Sequence, residues 1–305
     1  MSAAPPRQAS TRRKPGKLRA GWAPYFFIAP FALTFFIFMI YPLGYSMLLA
    51  TRQTAGPSVW RPVGLANFYD LLTDPEFWLA MKNTSIFALA SISIQLPASL
   101  ALALLLNRPD VKGRAFWRMI FFAPSLVGLA FVAILASLIF AKNNGLMNQF
   151  TAAFGGDPEF PWLETYILPA IVIASFWMYV GFNMVYFLAA LQSIDKSLIE
   201  AAMVDGAGPW DRFLHVTIPS IRPIGSFIVL LSLIGSFQLF ELPYLLLGYG
   251  SGPDQRGLTV VMLLYQRGFE VGDLGMASAI GWVLAMLLVG FALAQRFFGK
   301  SMTGA

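Results

Sequence analysis

A chain of 305 residues in which 57% are hydrophobic and only 12% charged carries about half the charge of an ordinary soluble domain, and reads as a membrane protein. The absence of cysteine excludes a disulfide framework and a thiolate metal site, and a single histidine, His215, excludes a histidine-cluster metal centre. The net charge of +6 raises nucleic acid as a partner, but the distribution of that charge assigns it to membrane topology instead.

Residues 1–24, rich in Pro, Arg and Ser, read as a disordered basic tail. The apolar run behind them is too long for a signal-peptide core and lacks a small-residue cleavage site, so it reads as an uncleaved anchor. It is the first of six apolar stretches, each long enough as helix to cross a hydrocarbon core of ~30 Å. They run Tyr25–Leu49, Ser85–Leu106, Met119–Phe140, Tyr166–Leu191, Pro223–Leu247 and Met276–Phe298. Backbone in lipid must satisfy its own hydrogen bonds, so such runs read as helices and the fold class as all-α polytopic. Residues 25–298 then form one six-helix domain, with residues 299–305 as a short tail.

Lys and Arg number six in the N-terminal tail, four in the second connection (Arg108, Lys112, Arg114, Arg118), three in the fourth and two at the C-terminal end. The alternate connections hold three, one and two. Fifteen against six puts both termini in the cytoplasm, and nucleic acid is set aside as a partner.

The outer connections carry spaced aromatic residues suited to the membrane interface. The first holds Gly64-Leu-Ala-Asn67-Phe68, Asp74-Pro75-Glu76-Phe77-Trp78 and Asn83-Thr84. The third holds Gly145-Leu-Met-Asn148 and Pro161-Trp162-Leu163, and the fifth Gly252-Pro253 followed by Leu264-Tyr265-Gln-Arg-Gly-Phe269.

Between the fourth and fifth spans, residues 192–222 form a polar island, Glu200-Ala-Ala-Met-Val-Asp205-Gly206-Ala-Gly208, closing with Ile218-Pro219. The composition predicts a short helix near residues 197–206, a glycine turn and a second short helix. Ile199, Ala202 and Met203 share a face at helical spacing, and small Ala201 and Ala202 permit close approach of a partner. Glu200 is expected near the helix start, where the dipole favours a carboxylate. Gly206 is expected to take positive φ and end the helix. Pro209 opens the second helix, Phe213, Val216 and Ile218 return it to the bundle, and Pro219 and Pro223 stop it at the next span.

Polar groups inside spans are costly and point to function. The fifth span carries Ser236, Gln238 and Glu241, the last two three apart and flanked by Phe237 and Tyr244. The fourth carries Ser175, Tyr179, Phe182 and Tyr186 as one helical stripe, with Trp177 and Asn183 beside it. Carboxylate and amide groups hydrogen-bond sugar hydroxyls, and aromatic rings pack on the apolar faces of pyranoses. The same residues also fit a packing role, with Gln238 bonding a neighbouring helix and Glu241 neutral or paired. A proton-carrying Glu241 with the prolines at 97, 124 and 243 would fit an ion-coupled secondary transporter, which leaves the 200–219 loop unexplained. The nearest phosphate-loop lookalike, Ala294-Gln-Arg-Phe-Phe-Gly299-Lys300-Ser301, has Ala where the first Gly belongs and ends a membrane span, so no ATP site is encoded.

The 200–219 loop resembles the EAA loop of ATP-binding cassette (ABC) importer permeases, in the carbohydrate group that includes the maltose transporter. The outer motifs follow in the same order, so the resemblance covers the chain from about residue 22 onward. It implies a type I ABC importer permease: six transmembrane helices and a cytoplasmic coupling helix that sits in a groove of a separate ATPase. The matching coupling positions are Glu200, Ala201, Ala202, Asp205, Gly206, Ala207 and Pro219. The implied partners are a second, similar permease forming a heterodimer, an ATPase dimer holding ATP and Mg, and an extracytoplasmic sugar-binding protein, in a bacterial cytoplasmic membrane. This chain itself is implied to hold no cofactor and to catalyse no reaction. Gln238 and Glu241 fall where the family places polar sugar contacts, and Ser175, Tyr179 and Phe182 match on the preceding helix. The acid at Glu241 replaces a neutral amide of the maltose permease, which permits an amino sugar or a differently hydroxylated one.

Overall fold

The structure, a computed structural model, describes residues 22–54 and 60–301. The expected tail over residues 1–24 falls almost wholly outside the described residues, as do residues 302–305. The chain divides into two compact units between Ser46 and Met47. The first holds α1 (Ala23–Phe35), a π-turn (Phe36–Ile40) and the start of α2 (Tyr41–Ala50). Ring pairs four residues apart stack along it, Phe31 on Phe35 and Tyr41 on Tyr45.

The second unit begins with the end of α2 and a small antiparallel pairing of β1 (Arg52–Gln53) with β2 (Arg61–Pro62), in register Arg52 to Pro62. The interface helix expected in this connection is α3 (Ala66–Thr73). Asn67 on its first turn is buried and donates to the carbonyls of Ala50 (2.9 Å) and Arg52 (2.8 Å), fixing the chain where α2 ends. The helix α4 (Pro75–Asn107) starts ten residues before the apolar run, because Asp74 caps it by accepting from the Glu76 amide (2.8 Å) and Pro75 suits its first turn.

Then follow α5 (Arg114–Phe122), a 3₁₀ turn (Ala123–Leu126), α6 (Leu129–Ile139), α7 (Leu146–Ala152) and α8 (Ile167–Gln192). The coupling region holds α9 (Lys196–Val204) and α10 (Pro209–Arg212), joined through a π-turn (Phe213–Thr217) to α11 (Ile218–Phe237). After α12 (Glu241–Leu246), a 3₁₀ turn (Pro253–Gln255), α13 (Val260–Tyr265) and a π-turn (Gln266–Glu270), the chain ends its described part in α14 (Leu274–Ser301).

Among the described residues, five helices are long and apolar enough to cross a membrane: Pro24–Ala50, Pro75–Asn107, Ile167–Gln192, Pro209–Phe237 and Leu274–Phe297. Two of the six expected spans need correction. The third is not one helix: Arg114–Leu126 and Leu129–Ile139 meet at 96°, and only together make a sixth span. Pro124 lacks the amide for a continuous ladder, and Val127 and Gly128 are extended. The bend rests on α8 at Gly181, where a side-chain β-carbon would run into the Phe121 carbonyl. The fifth span runs Pro209–Phe237 instead of Pro223–Leu247. Pro219 and Pro223 do not stop it, since Pro219 lies in the first turn of α11 just beyond the π-turn, whose longer bonds end at the Ile218 amide.

The cores form around α4. Its Phe77, Ala80 and Ala88 pack with Met262, Leu263 and Ile280, its Phe87 with Val132 and Ile171, and its Leu96 and Ala103 with Met184 and Ile228. Small side chains let α4 and α8 approach closely, and the Ser99 hydroxyl donates to the Val180 carbonyl at 2.8 Å across that contact. On the side of the outer connections, Arg267 bridges Asp74 (3.1 Å) and Glu76 (2.6 Å), tying the start of α4 to the turn before α14.

Candidate functional site

A cavity of about 410 Å³ opens where α4, α8 and the end of α11 converge. The end of α11 is shaped by Pro243. A proline there has no amide to give to the Leu239 carbonyl and would clash with it in a continuous helix, so the chain breaks between Phe237 and Glu241. The freed Leu239 carbonyl accepts instead from the buried Thr259 hydroxyl at 2.7 Å. Gln238 and Glu241 therefore do not share one helical face, as their spacing predicted. They stand on either side of the break, and both line the cavity.

From α8, Ser175, Tyr179, Phe182 and Asn183 line the opposite wall, so six of the eight expected substrate residues meet in one place. The other two do not. Phe237 is buried against Phe291, with ring centres 5.5 Å apart. Tyr244 packs against Phe240 and Tyr265 at 5.0 and 5.2 Å. Its hydroxyl lies 3.5 Å from a Glu270 carboxylate oxygen, away from the cavity lining.

A third wall, unremarked in the sequence, comes from α4: Phe87, Ser91 and Gln95, spaced four apart on one face. The signal was present, because Gln95 is an amide inside an apolar run just as Gln238 is. Three polar atoms at the cavity, Ser91 Oγ, Gln95 Nε2 and Ser175 Oγ, are buried without a hydrogen-bond partner. Ser99, one turn beyond Gln95, has the Val180 carbonyl. Buried polar groups in folded proteins are almost always paired. The residues that carry these atoms line the cavity, with the rings of Phe87, Tyr179 and Phe182 alongside.

The second candidate region is the loop after α8. Asp195, not Glu200, caps α9: its Oδ1 accepts from the Ser197 amide at 2.9 Å, and that bond holds its carboxyl below the usual carboxylate range. Glu200 sits mid-helix and exposed, because helix formation begins at Lys196 once Asp195 supplies the cap. The end of α9 matches the expectation. Gly206 has φ +82°, its amide donates to Met203 O (3.1 Å), and the Ala207 amide donates to Ala202 O (2.9 Å). This is a Schellman turn, with Ala202 and Ala207 half-buried on its inner side. Pro209 opens α10 as expected. Ala201 and Asp205 are exposed beside the turn, and Pro219 is exposed on α11.

Of the predicted face, Ile199 and Ala202 turn inward, whereas Met203 turns out. With Leu198, Val204, Trp210 and Leu214 it makes an exposed apolar surface, Val204 at 88% exposure. Uncovered apolar side chains on a loop this polar mark a contact surface.

Residues 95–304 match the family model described as the binding-protein-dependent transport system inner membrane component. The chain is 35% identical to the arabinooligosaccharides transport system permease protein AraP of Bacillus subtilis, covering 92% of this chain and 90% of that protein. It is 32% identical to the lactose transport system permease protein LacF of Rhizobium radiobacter, over 92% of this chain and 94% of that one. A solved structure of a bacterial ABC transporter involved in the import of the acidic polysaccharide alginate matches with TM-score 0.80 and 25% identity, covering 92% and 96% of the two chains.

Proposed function

This chain belongs to the family of binding-protein-dependent transport system inner membrane components, and from that premise we propose that it forms half of the solute pathway of an ATP-driven carbohydrate importer. The observation that carries the carbohydrate reading is the mixed lining of the cavity, in which Ser91, Gln95, Ser175, Asn183 and Gln238 stand among the rings of Phe87, Tyr179 and Phe182. A sugar offers donors and acceptors to such a wall at every hydroxyl, and an apolar ring face to Phe87, Tyr179 and Phe182. A purely apolar solute would leave the polar atoms unpaired, at about 1–3 kcal/mol each. The relatives named for arabinooligosaccharides and lactose support the same cargo class.

The chain works by alternating access, with the cavity open to one side of the membrane at a time. In this reading α9 and its Schellman turn seat the exposed Leu198, Met203 and Val204 in a groove of a separate ATPase dimer, which holds ATP and Mg. Closure of that dimer moves α9, and the continuous Pro209–Phe237 helix carries the motion to the break that holds Gln238 and Glu241. A second, similar permease completes the pathway, and an extracytoplasmic binding protein delivers the cargo. Both termini lie in the cytoplasm, and this chain binds no cofactor of its own. The ion-coupled alternative finds no support in the family membership.

Gentle purification from native membranes, followed by reconstitution in vesicles, tests the reading. The expected result is co-purification of an ATPase and a second permease, with sugar uptake that requires ATP and persists with a protonophore. Uptake that collapses with the protonophore while ATP remains, from a preparation free of any ATPase, would overturn it. The cargoes named for the relatives are neutral in two cases and acidic in the third, so family membership leaves the charge of this chain's cargo open.

A further inference from the structure

The cavity lining is one-sided in charge. Among the described residues no lysine, arginine or histidine lines it, and Glu241 is its one carboxylate. Glu241 forms no ion pair among the described residues, and it is exposed to the opening rather than packed away. Gln95 and Ser175 line the same cavity, and their side-chain amide nitrogen and hydroxyl have no hydrogen-bond partner. An amide nitrogen and a hydroxyl donate to neutral acceptors but bring no net charge to offset an anion.

A carboxylate that lines a membrane-protein cavity without a counter-ion needs either water or a ligand's donors. A sugar supplies hydroxyl donors and an amino sugar supplies an ammonium. A uronate or phosphate ester brings a second negative charge to a wall that, among the described residues of this chain, holds no cation. We propose that the cavity accepts uncharged or cationic carbohydrate, and that Glu241 is the residue that turns anionic carbohydrate away. This rests on the carbohydrate reading above and adds to it the charge of the cargo. Two like charges about 5 Å apart at an effective dielectric of ~20 repel strongly enough to weaken binding by about a hundredfold or more.

In the test, the assembled transporter is reconstituted with its binding protein and given labelled probes. Arabinotriose, lactose and maltotriose are the neutral probes, a glucosamine disaccharide the cationic one, and digalacturonate and an alginate disaccharide the anionic ones. Uptake is expected for neutral or cationic probes, with both anionic probes lower by about a hundredfold. Anionic uptake at a comparable rate overturns the proposal and leaves the carbohydrate reading standing. Uptake of no carbohydrate, with another solute class carried instead, overturns both.

Binding to the transporter without its binding protein then isolates the permease, using the accepted probe and its terminal-carboxylate derivative. Glu241→Gln is expected to narrow the gap between the two by about tenfold or more. Glu241→Asp, which keeps the charge, is expected to preserve it. A gap unchanged by Glu241→Gln in a transporter that still assembles assigns the exclusion elsewhere and overturns the role of Glu241.

Discussion

Gly206 offers the sharpest perturbation of the coupling region. Its φ of +82° is costly for most residues with a β-carbon, yet a β-carbon placed there meets nothing within 4 Å. Substitution therefore acts through backbone conformation alone, with no clash to blur the result. The left-handed conformation costs an ordinary L-residue roughly 1–2 kcal/mol, and a β-branched one more. The turn's two closing bonds, Gly206 to Met203 and Ala207 to Ala202, are lost together when the chain relaxes. Gly206→Ala should thus lower the population of the turned loop by about 5- to 30-fold. Gly206→Val should all but remove it, while Gly206→Asn, which tolerates left-handed backbone, should be mild. Membrane insertion, measured as the amount of folded chain in the membrane fraction, should be unchanged for all three. Cargo-stimulated ATP hydrolysis and uptake should fall in the order Asn, Ala, Val. Wild-type coupling in Gly206→Val would refute the assignment of this turn to ATPase docking.

Three further outcomes follow from the same geometry. Ser91→Ala and Gln95→Leu remove buried polar groups that lack partners in the empty chain, so thermal stability should hold or rise. Uptake should meanwhile lose about 0.5–1.5 kcal/mol of cargo interaction, seen as a two- to tenfold rise in KM; unchanged KM in both would detach α4 from the cargo. Thr259→Val leaves the Leu239 carbonyl without its donor at the helix break, which should cost roughly 1–3 kcal/mol in denaturation and raise KM as Gln238 and Glu241 loosen. Asp195 is held below its ordinary pKa by the Ser197 amide, so its support of α9 is complete above that ordinary value and disappears as pH falls through the lowered one. The protection factors of the α9 amides, with the intrinsic pH dependence of exchange divided out, should fall over that acid window in the native chain and stay flat across it in Asp195→Ala.

Four membrane helices were legible close to their bounds because each is a long apolar run. The misreadings fall where proline geometry, not hydropathy, decides. Pro124 breaks the third span and Pro243 ends the fifth, whereas Pro219 and Pro223 are tolerated in a helix that a π-turn prepares. Hydropathy is blind to these differences, because it weighs side-chain polarity and not the amide that proline lacks. Gly206 and Pro209 were readable, since positive φ and a first-turn position each demand a particular residue. Glu200 was misplaced because Asp195, five residues earlier, competes for the helix start and wins by bonding the Ser197 amide. In the cavity, the fourth-span stripe was readable from spacing. On α4, Gln95 carried the same signal as Gln238, an amide inside an apolar run, whereas Ser91 declares itself only when its unpaired hydroxyl is seen beside the cavity.

The central claim is that this chain is driven by a separate ATPase seated on the loop around α9. The native chain contains no cysteine, so a single Val204→Cys places one thiol on the most exposed apolar side chain of that loop. Cross-linking through that thiol in native membranes, with the captured chain identified by mass spectrometry, tests the claim most directly. Capture of an ATPase subunit, diminished when ATP closes or opens the dimer, is the predicted result. Efficient capture of lipid or of another permease in place of any ATPase, in membranes that still import sugar, would contradict it.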